Sequence, residues 1–225
     1  EYAKYKATDY TNANYELLTE KYNAGLSAIG GARTVDAVET ALETAVAEMA
    51  AIKTNAQILA DAKAAAKQAV NEAFAAYNEQ DYTVDNWSAL VKVKDDGLAA
   101  IEAAAKTDVA AEAGEAAIAA MAAVKNNATL LAEAKTAAKS ELGTEKAKYS
   151  QSDYTINWSV LEQAYNDGLT AIDASKTTSA VDTAKQAAIA AMAAVKTDAE
   201  ELEAAKSAAK DELKEYFDAF NKAYY

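Results

Sequence analysis

The sequence predicts an all-α protein made of tandem three-helix bundles, arranged end to end as an elongated rod. Two observations predict this fold class: one residue pattern recurs three times along the 225-residue chain, and the composition favours helix. Alanine makes up roughly a quarter of the residues, far above ordinary usage. The chain has no proline and 7 glycines, so few residues interrupt a helix.

The repeat is marked by two landmarks in each copy. The tyrosine of an Asp-Tyr-Thr triplet recurs as Tyr10, Tyr82 and Tyr154. A methionine in the second half of each copy recurs as Met49, Met121 and Met192. All these intervals are 72 residues except the last, from Met121 to Met192, which is 71, so one residue is missing near Trp158. We divide the chain into repeats 1–76, 77–148 and 149–225, the last of which includes the start of a fourth copy.

Charge and composition exclude several classes of function. The 35 acidic and 22 basic residues give a net charge of −13, which argues against binding to nucleic acid or to an anionic membrane. Histidine and cysteine are both absent, so the commonest general base, the commonest metal ligand and the thiol nucleophile are missing. We therefore expect no enzyme activity, no cofactor, no metal site and no insertion into a membrane.

Each copy predicts three helices, which we call helices A, B and C. In the second copy, Thr83 is placed to cap the start of helix A, with Tyr82 and Trp87 at the two positions of a hydrophobic staple. The missing residue moves Trp158 one position closer to Tyr154, so the same staple is not predicted in the third copy.

A glycine occupies an inward position of helix A in every copy, at Gly25, Gly97 and Gly168. In a helix interior, glycine costs about 1 kcal/mol of helix propensity relative to alanine. We expect the glycine to let a neighbouring alanine-rich helix approach more closely, which would offset this cost.

The junction of helices B and C allows two interpretations. The apolar stripe passes from Met192 to Leu213 without a change of phase, and the junction has no glycine or proline, which favours one continuous helix. A capping box in the segment 197–201 would instead favour a break. If B continues into C, each bundle has the order C, A, B, with junctions near residues 54, 126 and 197. The order A, B, C agrees better with the ends of the chain.

The segments 81–83, 97–101 and 116–125, together with Trp87, resemble the FIVAR-type ("found in various architectures") helical repeats of Gram-positive bacterial surface proteins. The resemblance covers essentially the whole chain, although the proline usual near the Asp-Tyr turn is lacking. It implies a repeated three-helix bundle outside the cell, with no chemistry of its own.

These observations predict a non-catalytic spacer or stalk segment of an extracellular bacterial surface protein. The alternative is an adhesin or carbohydrate-binding module that contacts cell-surface glycans or host matrix proteins. Aromatic residues near the helix A starts are its candidate ligand contacts: Tyr82, Trp87, Tyr154 and Trp158. The opposing interpretation places the same four residues in the bundle ends as packing residues.

We also expect contact between neighbouring repeats, and a monomer with weak end-to-end association. A dense group of aromatic residues near the C-terminal end of the chain is the predicted surface for it: Tyr216, Phe217, Phe220, Tyr224 and Tyr225.

Overall fold

The computed structural model describes residues 4–224, with side chains up to residue 220, and confirms the all-α fold class. Its nine α-helices in this range are α1 (Asn12–Gly31), α2 (Val35–Ala50), α3 (Asn55–Ala75), α4 (Val84–Ala103), α5 (Thr107–Ala122), α6 (Asn127–Lys146), α7 (Trp158–Ala174), α8 (Thr178–Ala193) and α9 (Asp198–Tyr224). Helix A of the three copies is α1, α4 and α7, helix B is α2, α5 and α8, and helix C is α3, α6 and α9. Within residues 4–224, no helix combines the length and apolar character needed to span a membrane.

The start of helix A follows the predicted capping chemistry in the second copy. Thr83 Oγ1 accepts a hydrogen bond from the Asn86 backbone N–H at 3.2 Å, and the Tyr82 and Trp87 rings lie 5.9 Å apart. The side chain of Thr11 caps α1 in the same way. Both the N-cap and the staple are therefore confirmed, and they fix the residue at which helix A begins.

The third copy absorbs its missing residue in the turn before α7. Helix α7 begins at Trp158, and its N-cap residue, Asn157, makes no side-chain capping bond. The carboxylate of Asp198, in the first turn of α9, accepts hydrogen bonds from the backbone N–H groups of Thr155 and Ile156, each at 3.0 Å. A residue of helix C thus satisfies backbone donors ahead of this helix A.

Of the two interpretations of the B–C junction, the continuous helix, which the unbroken apolar stripe favoured, is wrong. Helix α2 ends at Ala50 and α3 begins at Asn55, and similar breaks separate α5 from α6 and α8 from α9. At the first break, the side chains of Thr54 and Gln57 each accept a hydrogen bond from the other residue's backbone N–H, which is a capping box. The connection of four residues corresponds to about one helical turn. The apolar stripe therefore keeps its phase across a break.

Two complete bundles form around separate cores. Helices α3, α4 and α5 surround one core, and α6, α7 and α8 surround the other, so each bundle has the order C, A, B. Helices α1 and α2 pack against each other around Leu18 and Met49. The chain divides into two compact units, Glu1–Lys125 and Asn126–Tyr225, at the break before α6.

Helices A and B are in close contact where a glycine of A faces an alanine of B. A Cβ atom added to Gly97 would lie 2.3 Å from the Cβ of Ala117. The corresponding pairs in the other copies are Gly25 with Ala45, at 2.5 Å, and Gly168 with Ala188, at 2.3 Å. These distances confirm that the inward glycine permits a contact that no other residue could make.

Helix α9 differs from the other two C helices in its exposure. Every residue from Leu202 to Phe220 is exposed, including Tyr216, which is 78% exposed. The side chains of Tyr224 and Tyr225, which belong to the predicted aromatic group, lie outside the described residues.

Candidate functional site

The aromatic residues of the second copy form a cluster at one end of the α3–α4–α5 bundle. The ring of Trp87 lies 5.4 Å from the Phe74 ring and 5.9 Å from the Tyr82 ring, and the edge of Tyr77 meets Tyr82 at 6.1 Å. Tyr82 and Trp87 are half-buried and pack against the bundle core. Neighbouring rings therefore occupy much of the surface on which a sugar would stack.

The third copy builds a different cluster from the corresponding positions. Tyr154 meets Tyr149 edge to face at 5.6 Å, and both pack against the core of the α6–α7–α8 bundle. The Nζ of Lys146 lies 5.8 Å from the Trp158 ring centre and 4.7 Å from that of Tyr165. A cation over each ring favours packing, because the ammonium group is attracted to the aromatic face. The four candidate residues are therefore divided between two bundles: Tyr82 and Trp87 pack in the first, and Tyr154 and Trp158 pack in the second.

Two tyrosines of these clusters, Tyr82 and Tyr149, are not proton-transfer groups near neutral pH. Removal from water raises the pKa of the Tyr82 phenol, and Tyr77 and Asp81 raise it further. Removal from water also raises the pKa of Tyr149, with Glu145 adding to the effect. Because an unperturbed tyrosine titrates near pH 10, both phenols stay neutral under physiological conditions.

One recurring polar contact escaped the sequence interpretation. In each copy, an asparagine in or next to the first turn of helix A donates from its side-chain amide to the backbone carbonyl of the lysine after helix B. The pairs are Asn14 to Lys53 at 2.8 Å, Asn86 to Lys125 at 2.7 Å and Asn157 to Lys196 at 3.0 Å. These bonds tie the start of helix A to the B–C break. The recurrence of asparagine at the repeat spacing was the signal that could have revealed them.

A groove between α7 and α8 has a volume of about 610 Å³. Small residues line most of it, including Gly168 and Ala188, which face each other across the two helices. Two of the polar side chains that line the groove are hydrogen-bonded to each other: Gln163 Nε2 donates to Asp167 Oδ1 at 2.7 Å. The corresponding groove between α1 and α2 measures about 310 Å³ and includes Gly25. A groove that contains the inward glycine is thus present in the first and third copies.

The charged side chains of the bundles form ion pairs between helices. Lys185 of α8, whose side chain is 14% exposed, contacts Glu141 of α6 at 2.7 Å and Asp182 at 3.0 Å. Hydrogen bonds to these carboxylates raise the pKa of Lys185. Among residues 4–220, no three acidic side chains come together in a group that could hold a metal ion.

Comparisons of the chain with known protein families, with curated proteins and with solved structures found no match. The function is therefore inferred from the sequence and the structure of the chain itself.

The turn at residues 154–157 offers a test of the cap that helix C supplies. Hydrogen bonds from the Ile156 backbone and the Thr155 side chain lower the pKa of Asp198. A lowered folded-state pKa means that the stabilisation is complete above the unfolded value of about 3.9 and is lost as the pH falls through the folded value. We expect Asp198→Asn to reduce the protection of the Thr155 and Ile156 amides from hydrogen exchange at neutral pH.

Acidification of the wild-type chain below about pH 4 should reduce the same protection, whereas the variant should respond far less. Asp211→Asn, a change at an exposed carboxylate of the same helix, is the matched control. Equal protection in wild type and Asp198→Asn at neutral pH would show that the carboxylate does not hold the turn.

Proposed function

We propose that the chain is a non-catalytic structural spacer or stalk segment of an extracellular bacterial surface protein. The observation that carries the proposal is the repetition of one packing unit in α3–α4–α5 and α6–α7–α8. Both bundles use corresponding positions for the core, for the glycine–alanine contact and for the asparagine bond. Repetition of one unit lengthens a protein in equal steps, which is the property that a spacer needs.

The extracellular and bacterial parts of the proposal rest on the resemblance to FIVAR-type repeats. The recurring residues behind that resemblance have structural roles in this fold. Thr83 caps α4, Trp87 belongs to the staple, and Gly97 packs closely against Ala117 of α5. They therefore support a shared bundle, while the location is inferred from the resemblance.

Packing of the aromatic residues favours the spacer over the adhesin. Tyr82, Trp87, Tyr154 and Trp158 are all half-buried and pack against the two cores. A sugar-binding platform needs an open aromatic face. Neighbouring side chains cover much of the faces of these four rings. An adhesin would have to use other surfaces, such as the α7–α8 groove.

Small-angle X-ray scattering tests the proposal. Helix A has 20 residues in the first two copies, so at a rise of about 1.5 Å per residue each bundle contributes roughly 30 Å, and three repeats placed end to end should extend over roughly 90 Å. We expect a maximum dimension near that value and a scattering profile typical of a rod. A compact profile would contradict the spacer, because the repeats would then fold back on one another and add no reach.

A further inference from the structure

Helix α9 carries the apolar pattern with which the other C helices enter their bundles. At the repeat spacing, Leu213 corresponds to Val70 of α3 and Leu142 of α6. These two counterparts are 0% exposed, whereas Leu213 is 70% exposed. Phe217 corresponds to Phe74, which packs against its bundle core, and Phe217 is 62% exposed. Helix α9 therefore presents a core-forming face to solvent.

Helices α1 and α2 show the complementary feature, an A–B pair whose C-facing positions are exposed. Val38 of α2 is 37% exposed, whereas its counterpart Ala110 is 0% exposed. Leu42 is 50% exposed, and its counterpart Gly114 is buried against Ala66 of α3. The exposed positions are thus those that helix C covers in a complete bundle.

The larger side chain of Leu42 has a precedent in the third copy. There Lys185 occupies the corresponding position, and its side chain extends along α6 to reach Glu141 at 2.7 Å. A side chain as long as leucine therefore fits between helices B and C at this level of the bundle.

The charges of the two surfaces agree with the same docking. In both complete bundles, a lysine of helix C donates to a carbonyl oxygen near the end of helix A: Lys63 to Glu102 at 2.6 Å and Lys135 to Asp173 at 2.7 Å. Lys206 of α9 is the corresponding lysine, and Gly30 of α1 supplies the corresponding carbonyl. A cation at the C-terminal end of a helix is favourable because the last carbonyls carry partial negative charge.

A second pairing of opposite charges is expected close to the first, just beyond the C-terminal end of helix A. Ala105, just after α4, lines one cavity with Asn55 and Leu59 in the first turns of α3. Arg33 corresponds to Ala105 in the first copy. The first turn of α9 contains three carboxylates: Asp198, Glu200 and Glu201. Docking in the same alignment therefore brings the Arg33 guanidinium beside an acidic turn.

We propose that α9 of one copy of the chain packs as the third helix against α1 and α2 of a second copy. The contact rebuilds the C–A–B bundle that the chain already forms twice, with Leu213 in the core and Lys206 on the end of α1. The partner is a second copy because each molecule carries both surfaces, with apolar positions and charges in the same alignment. This association is independent of the spacer proposal and adds a specific site of self-assembly.

Sedimentation equilibrium of the full chain tests the contact. We expect the average mass of the wild type to rise with concentration at about 0.15 M salt, where the net negative charge of each molecule is screened. Leu213→Asp on α9 and Leu42→Asp on α2 should each raise the dissociation constant about tenfold or more, since each replaces a leucine that the contact would bury with a charged residue. Val84→Asp, at a valine that is 83% exposed on α4, is the matched control and should associate like the wild type.

A mixture of the two variants gives the sharper result. Leu213→Asp keeps an intact α1–α2 surface, and Leu42→Asp keeps an intact α9. At concentrations where the wild type associates, each variant alone should be mainly monomeric, while the equimolar mixture should form a 1:1 dimer and nothing larger. A wild type that remains monomeric at all concentrations, or a mixture without dimers, would overturn the proposal.

Two further measurements distinguish a loss of association from a folding defect, and the self-assembly proposal from the spacer proposal. Circular dichroism of Leu213→Asp should show wild-type helix content, because Leu213 contributes to neither complete core. Scattering from the same monomeric variant measures the length of a single molecule. A rod that does not associate would leave the spacer standing and overturn the self-assembly, and a compact molecule that associates would do the reverse.

Discussion

Leu90→Ala is expected to lower the free energy of unfolding of the α3–α4–α5 bundle by about 2–5 kcal/mol. Leu90 is 0% exposed and shares its core with Val70, Ile101 and Met121. Truncation removes buried apolar surface and leaves a cavity that three tightly packed helices cannot close. Domains are typically stable by only about 5–15 kcal/mol, so the change should remove a large fraction of the stability.

Tryptophan fluorescence can follow this bundle separately, because the chain has 2 tryptophans and one lies in each complete bundle. In a Trp158→Phe background, urea unfolding monitored by Trp87 reports on the α3–α4–α5 bundle. Val84→Ala, at an 83% exposed position of the same helix, is the control and should change the midpoint little. Equal midpoints for Leu90→Ala and its background would contradict the assigned core.

Gly97→Ala is expected to destabilise the same bundle by about 1–3 kcal/mol, although alanine is the better helix former. The new methyl group would lie 2.3 Å from the Cβ of Ala117, well inside van der Waals contact. Neither methyl group can rotate away, because both are attached directly to helical backbone. Helices α4 and α5 must therefore move apart, which loosens the core beneath them.

Two other glycines supply matched controls for this substitution. No atom lies within 4 Å of a Cβ added to Gly30, and the nearest atom to one added to Gly143 is the Tyr165 hydroxyl oxygen at 3.7 Å. Alanine at either position should raise stability by up to about 1 kcal/mol through helix propensity alone.

The double variant Gly97→Ala with Ala117→Gly moves the methyl group from one helix to the other. It should recover much of the stability lost by Gly97→Ala, as a coupled pair in direct contact does in a double-mutant cycle. If Gly97→Ala alone stabilised the bundle, the close approach of the two helices would be refuted.

Local features of the fold were predictable from the sequence because their causes lie within a few residues. The cap at Thr83 and the staple of Tyr82 with Trp87 depend on residues at fixed short spacings. The inward glycine at position 97 follows from the apolar stripe of its own helix. Each of these features was expected, and the structure contains each of them.

Features that depend on contacts between distant residues were not predictable in the same way. The break between helices B and C has the length of one turn, so the apolar stripe shows no shift that would reveal it. The Asn86 amide that holds the break at Lys125 comes from a residue 39 positions earlier. The burial of the candidate aromatic residues likewise depends on which C helix packs against their helix A, and the stripe alone left both bundle orders open.

The turn before α7 has a consequence for how such a chain can change during evolution. The third copy is one residue shorter there, and Leu161, Gly168 and Ile172 still occupy buried positions of the bundle. The loss stays local because the turn lies outside the helices and Asp198 supplies the hydrogen-bond acceptor from another segment. Insertions and deletions of single residues are thus tolerated at the entrance to helix A, whereas inside a helix they would rotate the apolar face away from the core. Copies can diverge in length at this point and still fold as the same unit.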